Sequence, residues 1–431
     1  MINSQSAVTG IPPVEAILHY AGQENYNFWD RLCDSNTLRL AWLKVKQNGG
    51  SPGVDGITIH RFETHLERNL SFIQSHLHHY QPLPYLRIYI EAGNGKKRAL
   101  DIPCVRDRIV LKALLMTLAA EIDKHTPINV FGYRYGMGAQ AAVKKAEQLI
   151  GEGNIWAFRS DIRNFFGSIE RARLMEHLTE IIPDERILRL INKFLNAGTK
   201  ENSSITFPDK GIAQGSCLSP LLSNVYLRPF DTAMMNAGYH MLRYADDILA
   251  LVPTKALVSR AALLDGKLLT DFGLELNETK TTTTHISRGI EFLGFAIDAG
   301  GRMPGANAVA RLNRRIEQIN QDRAMRIHKK VEKLRQMIRG WLNYFGTGTN
   351  ITVNDRLGFL VFRQTKLELE NRASHYRLPE ELRDEVAVYL TAKKRLAEAN
   401  AEVRRIETHM RANWKDNIAA KFYLRRILSH A

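Results

Sequence analysis

The residues best suited to chemistry in this sequence are two adjacent aspartates, Asp246 and Asp247, between two short apolar runs, residues 241–244 and 248–252. β-Branched and aromatic residues on both sides of an acidic break predict a β-hairpin with the carboxylates at its turn. Adjacent carboxylates in a low-dielectric site repel each other unless a cation compensates them. Mg²⁺ suits such a site, because it binds one or two carboxylates together with substrate phosphates. An exposed acidic turn is the simpler alternative.

A third aspartate, Asp161, follows alternating apolar residues in the stretch 155–169. This pattern predicts a buried strand that ends at Asp161, with a helix over residues 168–178. A carboxylate at the end of a buried strand is costly and suggests a bound ion. A helix N-cap explains an isolated aspartate of this kind equally well.

Cationic residues follow a second predicted hairpin, formed by residues 85–90 and 99–103 around a Gly-Asn-Gly turn. Lys96, Lys97 and Arg98 lie at its tip and on its return strand. Arg106 follows, just before an apolar helix predicted over residues 109–120. Arginine forks and lysine point charges can hold a triphosphate. Solvated turn lysines are the alternative for Lys96 and Lys97.

The elements that must position these residues are read from hydrophobic periodicity and chain-breaking residues. The sequence predicts helices over residues 1–48, 60–77 and 256–272, and a glycine turn with an apolar helix over 211–227. It also predicts short strands over 273–277 and 291–295. Residues 131–143 form a glycine-rich turn that leads into a helix. This stretch lacks the Gly-Lys-Ser/Thr sequence with which a phosphate loop ends.

The bulk composition is that of a globular protein with a basic surface. Sixty Lys and Arg against 45 Asp and Glu give a net charge of +15, which predicts a polyanionic partner or an anionic membrane surface. No apolar run approaches the roughly 20 residues that span a bilayer. The first residues lack the features of a signal peptide. Three distant cysteines indicate neither disulfides nor a zinc site, so we expect a cytoplasmic protein. Without a long apolar run or a signal peptide, we expect no membrane association.

Basic residues concentrate in a predicted helix over residues 307–345, which ends in an aromatic cluster. The candidate contacts to nucleic acid in this segment are Arg311, Arg314, Arg315, Arg326 and Trp341. Basic residues interleaved with aromatic ones are typical of a surface that grips a duplex. A solvated basic helix is the alternative. The remaining residues, 355–431, also have a helical pattern.

In their order along about 300 residues, these stretches resemble the palm of reverse transcriptases, in the branch similar to group II intron reverse transcriptases. The matching stretches are residues 51–58, 98–111, 131–138, 160–169, 214–227, 244–247, 273–281, 291–295 and 338–345. The resemblance implies an α+β, right-hand polymerase fold with fingers, an antiparallel palm sheet with helices, and a helical thumb. The implied parts are an N-terminal helical extension (1–50), fingers and palm (51–300), a basic thumb (301–350) and a C-terminal helical extension (351–431).

The resemblance also implies roles for individual residues. The metal ligands of two Mg²⁺ ions would be Asp161, Asp246, Asp247 and the carbonyl of Ile162, with Lys280 protonating the leaving pyrophosphate. The triphosphate would be bound by Lys96, Arg98 and Arg106, while Gln214 would lie over the incoming nucleotide. Phe166 matches the steric gate that excludes a ribose 2′-hydroxyl. Three residues depart from the family's pattern, namely Gly167, Ala213 and Cys217.

The implied activity is RNA-directed DNA synthesis from deoxynucleoside triphosphates, with an RNA template and a cDNA product. No nuclease pattern follows the thumb-like segment, so we expect a stand-alone enzyme. Compact relatives of this kind resemble the class 2 type of bacterial defence-associated reverse transcriptases, which implies a structured non-coding RNA as template and a role in anti-phage defence. The alternative is a maturase-type, RNA-binding splicing cofactor. An RNA-templated RNA polymerase is disfavoured by Phe166. The oligomeric state and the priming mechanism do not follow from the sequence.

Overall fold

Two β-hairpins and one buried helix are the main features of the described part of the chain. The computed structural model describes residues 27–91, 97–322 and 324–345. Several predicted features lie outside the described residues: the start of the N-terminal extension, the Gly-Asn-Gly turn and Lys96 of the first hairpin, the end of the thumb over 346–350, and the C-terminal extension over 351–431.

The first part of the described chain is helical. Its elements are α1 (Phe28–Cys33), α2 (Ser35–Asn48), α3 (Ile59–Glu63) and α4 (Leu66–His76), followed by a 3₁₀ turn at Leu77–His79. The prediction of one helix over residues 60–77 is wrong, because the helix breaks after Glu63. The side chains of Thr64 and Asn69 donate to the carbonyls of Arg61 and Phe62 there, and such local bonds compete with the helical ladder.

The next part combines a four-stranded sheet with helices. Its elements are β1 (Tyr85–Glu91), β2 (Lys97–Ile102), α5 (Val105–His125), α6 (Ala139–Gly151), β3 (Trp156–Asp161), α7 (Phe165–Ser168), α8 (Arg171–Thr179), α9 (Glu185–Leu195), β4 (Thr199–Glu201) and β5 (Ser204–Thr206). The sheet order is β2-β1-β4-β5, with β1 and β2 antiparallel, which confirms the basic hairpin. The helix predicted over 168–178 starts instead at Arg171, because the backbone at Ile169 is extended.

The predicted palm forms around a second sheet. Its elements are α10 (Ser219–Asn236), β6 (His240–Tyr244), β7 (Asp247–Val252), α11 (Lys255–Asp271), β8 (Thr282–His285), a 3₁₀ turn at Ile286–Arg288, β9 (Ile290–Phe292), β10 (Phe295–Asp298) and β11 (Gly301–Pro304). The palm sheet has the order β6-β7-β3-β8 and is antiparallel throughout. The acidic hairpin is therefore confirmed. Strands β9, β10 and β11 form a smaller antiparallel sheet.

Two short strands predicted from sequence are wrong. In the segment 273–277 only Leu276 pairs, in a single bridge to Ile162. The segment 291–295 is divided by a turn, since Leu293 has a φ of 51° and lies between β9 and β10. Both segments contain apolar residues whose partners lie elsewhere in the chain, and a short apolar run does not reveal where pairing stops.

The basic segment forms two helices, α12 (Ala306–Gln321) and α13 (Ile327–Phe345). The prediction of one continuous helix is wrong because Asp322 Oδ1 accepts hydrogen bonds from the backbone N–H groups of Ala324 (3.0 Å) and Met325 (3.1 Å). In α12 the buried residues are Ala308, Leu312 and Ile316, spaced four apart, so the helix is amphipathic.

Helix α5 lies at the centre of the largest hydrophobic core. Its buried residues occur on every side of the helix, and it packs against α2, α1 and α10. A helix that is apolar all round is expected to be enclosed by other elements. The described chain combines helices with sheets that are mainly antiparallel, which confirms the α+β class.

No helix among residues 27–91, 97–322 and 324–345 is long and apolar enough to cross a membrane.

Truncation of Trp42 is expected to test this core. Trp42 is 1% exposed and its ring lies 5.2 Å from that of Phe62, whereas the next residue, Leu43, is 51% exposed. Trp42→Ala should lower the free energy of unfolding by about 3–5 kcal/mol through lost burial and a cavity. Leu43→Ala is the matched control and should change it by less than about 0.5 kcal/mol. Urea unfolding of both variants measures this, and equal effects would contradict the assignment of α2 to the core.

Candidate active site

The candidate site lies where three palm strands end. Antiparallel pairing sets Asp161, the last residue of β3, directly opposite Asp247, the first residue of β7. Asp246 precedes it in the turn, and its carbonyl accepts a hydrogen bond from the N–H of Ile162 at 3.3 Å. The three predicted aspartates are thus brought together, and we refer to Asp161, Asp246 and Asp247 as the aspartate cluster.

The carboxylate of Asp161 is held by two side chains from the turn after α11. Asn277 Nδ2 donates to its Oδ1 at 2.9 Å, and Lys280 Nζ donates to its Oδ2 at 2.8 Å. The N–H of Asn277 also donates to the Asp161 carbonyl at 2.8 Å, which fixes the turn against β3. Lys280, predicted from the family pattern, therefore lies in the site. Asn277 was not predicted.

The carboxylate of Asp247 is bound by Arg159. The guanidinium makes two parallel contacts, Nε to Oδ1 at 2.9 Å and Nη2 to Oδ2 at 3.0 Å. Burial raises the pKa of Asp247, and Arg159 opposes this rise without cancelling it. Arg159 stands two residues before Asp161 on the same strand, so strand alternation puts both side chains on one face.

Asp246 has the least compensated charge of the cluster. Burial raises the pKa of its carboxyl group, and the negative charges of Asp161 and Asp247 raise it further. Against the three carboxylates stand two cations, Lys280 and Arg159. The site therefore carries excess negative charge in a partly desolvated place, which is the electrostatic condition for binding a cation.

The carboxylate oxygens of the cluster are the kind of donor that a hard divalent ion prefers, but their arrangement is not that of a metal site. In the part of the chain that the structure describes, no three Asp, Glu, His or Cys side chains converge in an arrangement that could hold a metal ion. Asp161 and Asp247 are instead bonded to Lys280 and Arg159. An ion bound by the whole cluster would have to exchange with these contacts, and the ligand role of Ile162 stays a prediction.

The turn that carries Asp246 has a strained backbone. Ala245 has a φ of 59°, in the left-handed region that costs a residue with a side chain about 1–2 kcal/mol. A Cβ atom at Gly132 would lie 2.6 Å from the backbone nitrogen of Ala245, so only glycine allows this close approach. The glycine-rich loop predicted at 131–138 therefore packs directly on the turn.

Predicted nucleotide-binding residues meet on the sheet of β1 and β2. Arg98 Nε lies 3.3 Å from Gln214 Oε1, and the Gln214 carbonyl accepts a hydrogen bond from the N–H of Asp101 at 2.6 Å. Gly215 has a φ of 129°, and a Cβ there would lie 2.6 Å from the Asp101 carbonyl oxygen. Only glycine therefore lets the loop of Gln214 lie against β2.

Phe166 lies in α7, next to the same loop. Its carbonyl accepts a hydrogen bond from the N–H of Ile212 at 2.8 Å, and its side chain is partly buried. A Cβ on the neighbouring Gly167 would lie 2.5 Å from the Asn164 side chain. The Asn164 side chain thus takes the space into which any side chain at position 167 would extend.

Two other predicted cations differ in their surroundings. Arg106 Nη2 donates to the Gln81 carbonyl at 2.9 Å, and its guanidinium lies 5.7 Å from the centre of the Tyr80 ring. The structure therefore ties Arg106 to the loop before β1, and a contact with triphosphate stays a prediction. Lys97 is exposed at the start of β2, whereas Lys96 lies outside the described residues.

The predicted nucleic-acid contacts in the basic segment fall into two groups. The exposed group comprises Arg311, Arg314, Arg315 and Arg326. Trp341 is partly buried, and its ring lies 4.7 Å from that of Phe345. Packing within the protein accounts for Trp341, while the exposed arginines stay candidates for binding phosphates.

Family comparisons agree with the order of these elements. Residues 90–297 match the family model described as reverse transcriptase (RNA-dependent DNA polymerase). Residues 309–367 match the group II intron, maturase-specific domain. The chain is 31% identical to Protein YkfC of Escherichia coli over 294 residues, which is 57% of this chain and 76% of that protein.

The chain belongs to the reverse transcriptase family. Its enzyme class is that of an RNA-directed DNA polymerase, and its branch is that of group II intron-encoded proteins. It is 33% identical to the group II intron-encoded protein LtrA of Lactococcus lactis over 153 residues, but this covers only 35% of the chain and 25% of LtrA.

Solved structures show more distant likeness. The telomerase of Candida albicans, solved with a fragment of telomeric RNA, is 11% identical and has a TM-score of 0.46. The likeness covers 75% of this chain and 60% of that chain.

Sequence reasoning missed two residues in the site of this reverse transcriptase, Arg159 and Asn277. Arg159 had a usable signal, because it alternates with Asp161 on a predicted strand. Asn277 had none, because its contact with Asp161 depends on the turn after α11 returning to β3. The sequence motifs identified the acidic residues, whereas their partners depend on pairing between distant segments.

Replacing Asp246 is expected to stabilise the fold of this reverse transcriptase. The pKa of Asp246 is raised in the folded state above the value of about 3.9 in the unfolded chain. Folding therefore opposes ionisation of this carboxyl group, which lowers the free energy of unfolding. The loss is largest near pH 7 and vanishes below about pH 4, where the group is protonated in both the folded and the unfolded state. Asp246→Asn should raise the free energy of unfolding at pH 7 by about 1 kcal/mol, as functional residues often lower stability.

Urea unfolding without divalent cations, at pH 7 and again near pH 4, measures this effect. Asp247→Asn is the matched control, since it removes the carboxylate that pairs with Arg159 and should give no stabilisation. A variant at position 246 that is no more stable than the natural protein at pH 7 would contradict the interpretation.

Proposed function

We propose that this reverse transcriptase extends a DNA strand by copying RNA, with two Mg²⁺ ions bound at the aspartate cluster. The observation that carries this proposal is the excess negative charge of the cluster at the ends of β3 and β7. When bound, such ions activate a primer hydroxyl and stabilise the leaving pyrophosphate.

The protein's own groups would provide orientation and proton transfer. Lys280 Nζ, which contacts Asp161 Oδ2, would give a proton to the leaving pyrophosphate. Arg98 would bind the triphosphate, with Gln214 at hydrogen-bonding distance from it above the incoming nucleotide. Phosphoryl transfer needs mainly alignment and neutralised charge, so these contacts would supply most of what the chemistry requires.

The polyanionic partner would be an RNA template with its growing DNA strand. The charge of +15 and the exposed arginines of α12 support binding through phosphates. Backbone contacts of this kind suit an A-form duplex, whose base edges are hidden in a deep groove. A dedicated, structured non-coding RNA and a role in anti-phage defence stay predictions from the resemblance.

Asparagine substitutions in the cluster are expected to stop synthesis. Asp161→Asn and Asp246→Asn should each lower incorporation of deoxynucleotides by about 10²–10³-fold, the range for losing a group that stabilises transition-state charge. Binding of RNA should change little, because it depends on basic surfaces. Single-turnover primer extension on an RNA template measures both, with the exposed Asp271→Asn as control. Undiminished synthesis by Asp246→Asn would refute the site.

A smaller residue at position 166 is expected to admit ribonucleotides. Phe166→Val should lower the preference for deoxyribonucleotides about 10–100-fold, because removing a wall removes the clash with the 2′-hydroxyl. The neighbouring Phe165→Val is the control. Phe165 is buried in the core at 2% exposure and its ring lies 5.6 Å from that of Phe166, so its truncation should lower stability and change the ratio far less. Incorporation of both nucleotide types on one template gives the ratio. An unchanged ratio for Phe166→Val would make Phe166 a packing residue.

A splicing cofactor is the second candidate function, favoured by the match of residues 309–367 to the maturase-specific domain. In this role the palm would be a platform for RNA and polymerisation would be dispensable. The double variant Asp161→Asn, Asp246→Asn separates the two candidates. A splicing cofactor should promote excision of a group II intron RNA equally well with this variant, while a dedicated polymerase should lack that activity in both forms.

A further inference from the structure

A buried ion pair lies directly behind the turn that carries Asp246. Arg243 is the fourth residue of β6 and Asp231 lies in α10, and both side chains are 0% exposed. The contacts are bidentate, with Arg243 Nε to Asp231 Oδ1 at 2.7 Å and Nη2 to Oδ2 at 2.6 Å. A buried ion pair gives little net stability compared with apolar residues of similar size, so stability alone does not explain why this pair is present.

The remaining donor of the guanidinium reaches the turn. Arg243 Nη1 donates to the Ala245 carbonyl at 3.0 Å and to Asn224 Oδ1 at 3.1 Å. Asn224 Nδ2 in turn donates to the Gly132 carbonyl at 2.9 Å. One guanidinium therefore joins helix α10, the acidic turn and the loop of Gly132.

The backbone of Arg243 strengthens the same connection. Its N–H donates to the Asn129 carbonyl at 3.0 Å, and its carbonyl accepts from the N–H of Phe131 at 2.8 Å. The loop that contains Gly132 is thus fixed on both sides of Arg243, where it abuts the nitrogen of Ala245.

We propose that Arg243 is a positioning residue, whose Nη1 contact with the Ala245 carbonyl holds the turn in its left-handed conformation and so sets the direction of the Asp246 carboxylate. Alanine prefers a negative φ when nothing constrains it. Rotation at Ala245 would reorient Asp246, whose carbonyl accepts from Ile162. Because an apolar pair could fill the space but not bond the carbonyl, the ion pair serves geometry. This inference rests on the proposed function of the aspartate cluster.

The first test replaces the pair by apolar residues of similar size. The double variant Arg243→Met, Asp231→Leu should fold, but kcat for nucleotide addition should fall about 100-fold, the cost of a misplacement near 1 Å. KM for the nucleotide and affinity for RNA should stay within about threefold. The control is Arg302→Met, Glu147→Leu, which removes another largely buried pair, with Nη1 and Oε2 2.6 Å apart, and should leave kcat unchanged.

A rescue experiment separates positioning from stability. Glycine adopts the left-handed conformation without a steric penalty. Adding Ala245→Gly to the double variant should therefore recover about tenfold of the lost kcat. If the pair only stabilised the core, this substitution would give no recovery, and that result would overturn the proposal.

Arg243→Lys tests the contact with the Ala245 carbonyl while keeping the charge. Arg243→Lys retains a cation against Asp231, so it should fold even if the double variant does not, yet one ammonium cannot serve both Asp231 and Ala245. Its kcat should fall about tenfold, and a kcat within threefold of the natural protein would overturn the proposal.

Titration with Mn²⁺, followed by electron paramagnetic resonance, measures the affinity of the aspartate cluster for a divalent cation independently of catalysis. Affinity should weaken about tenfold in the double variant or, if that does not fold, in Arg243→Lys, and not in the Arg302 control. Unchanged Mn²⁺ affinity would also overturn the proposal, whereas full synthesis by Asp246→Asn would refute the proposed function alone.

Discussion

The antiparallel pairing of β3 with β7 is the constraint on which the candidate site depends. It sets Asp161 opposite Asp247 and leaves Asp246 in the turn, so three carboxylates share a partly desolvated place. Their mutual repulsion explains the other features of the site. Arg159 and Lys280 each bind one carboxylate, and the remaining negative charge is what makes a divalent cation a suitable ligand.

The surrounding structure keeps this unfavourable arrangement in place. The palm sheet is antiparallel throughout, and β7 is almost wholly buried, so the strands cannot separate without exposing a large apolar surface. The strained backbone of Ala245 is held between the loop of Gly132 and the guanidinium of Arg243. Stability gained in the core thus compensates for strain and charge at the site, as is common at functional positions.

Family membership and local structure contribute different information. The family match spans the aspartate cluster and Lys280, whose roles in nucleotide transfer stay predictions. The structure adds features particular to this chain, such as the Arg159 fork on Asp247 and the Asn164 side chain beside Gly167. The match to the maturase-specific domain covers residues 309–367, and its described part contains the exposed Arg311, Arg314, Arg315 and Arg326.

The sequence alone determined both hairpins, because these follow from local periodicity, turn residues and residue types. The order of its motifs carried the resemblance to reverse transcriptases, and that resemblance implied the α+β class. The sequence did not determine where the helices predicted over residues 60–77 and 307–345 would break, since side chains such as Thr64 and Asp322 compete with the helical ladder there. Only the tertiary structure decided which cation meets which aspartate, that Arg106 is tied to Gln81, and that Arg243 lies buried behind the turn. Those contacts join segments far apart in the chain, and no local pattern records the distance between them.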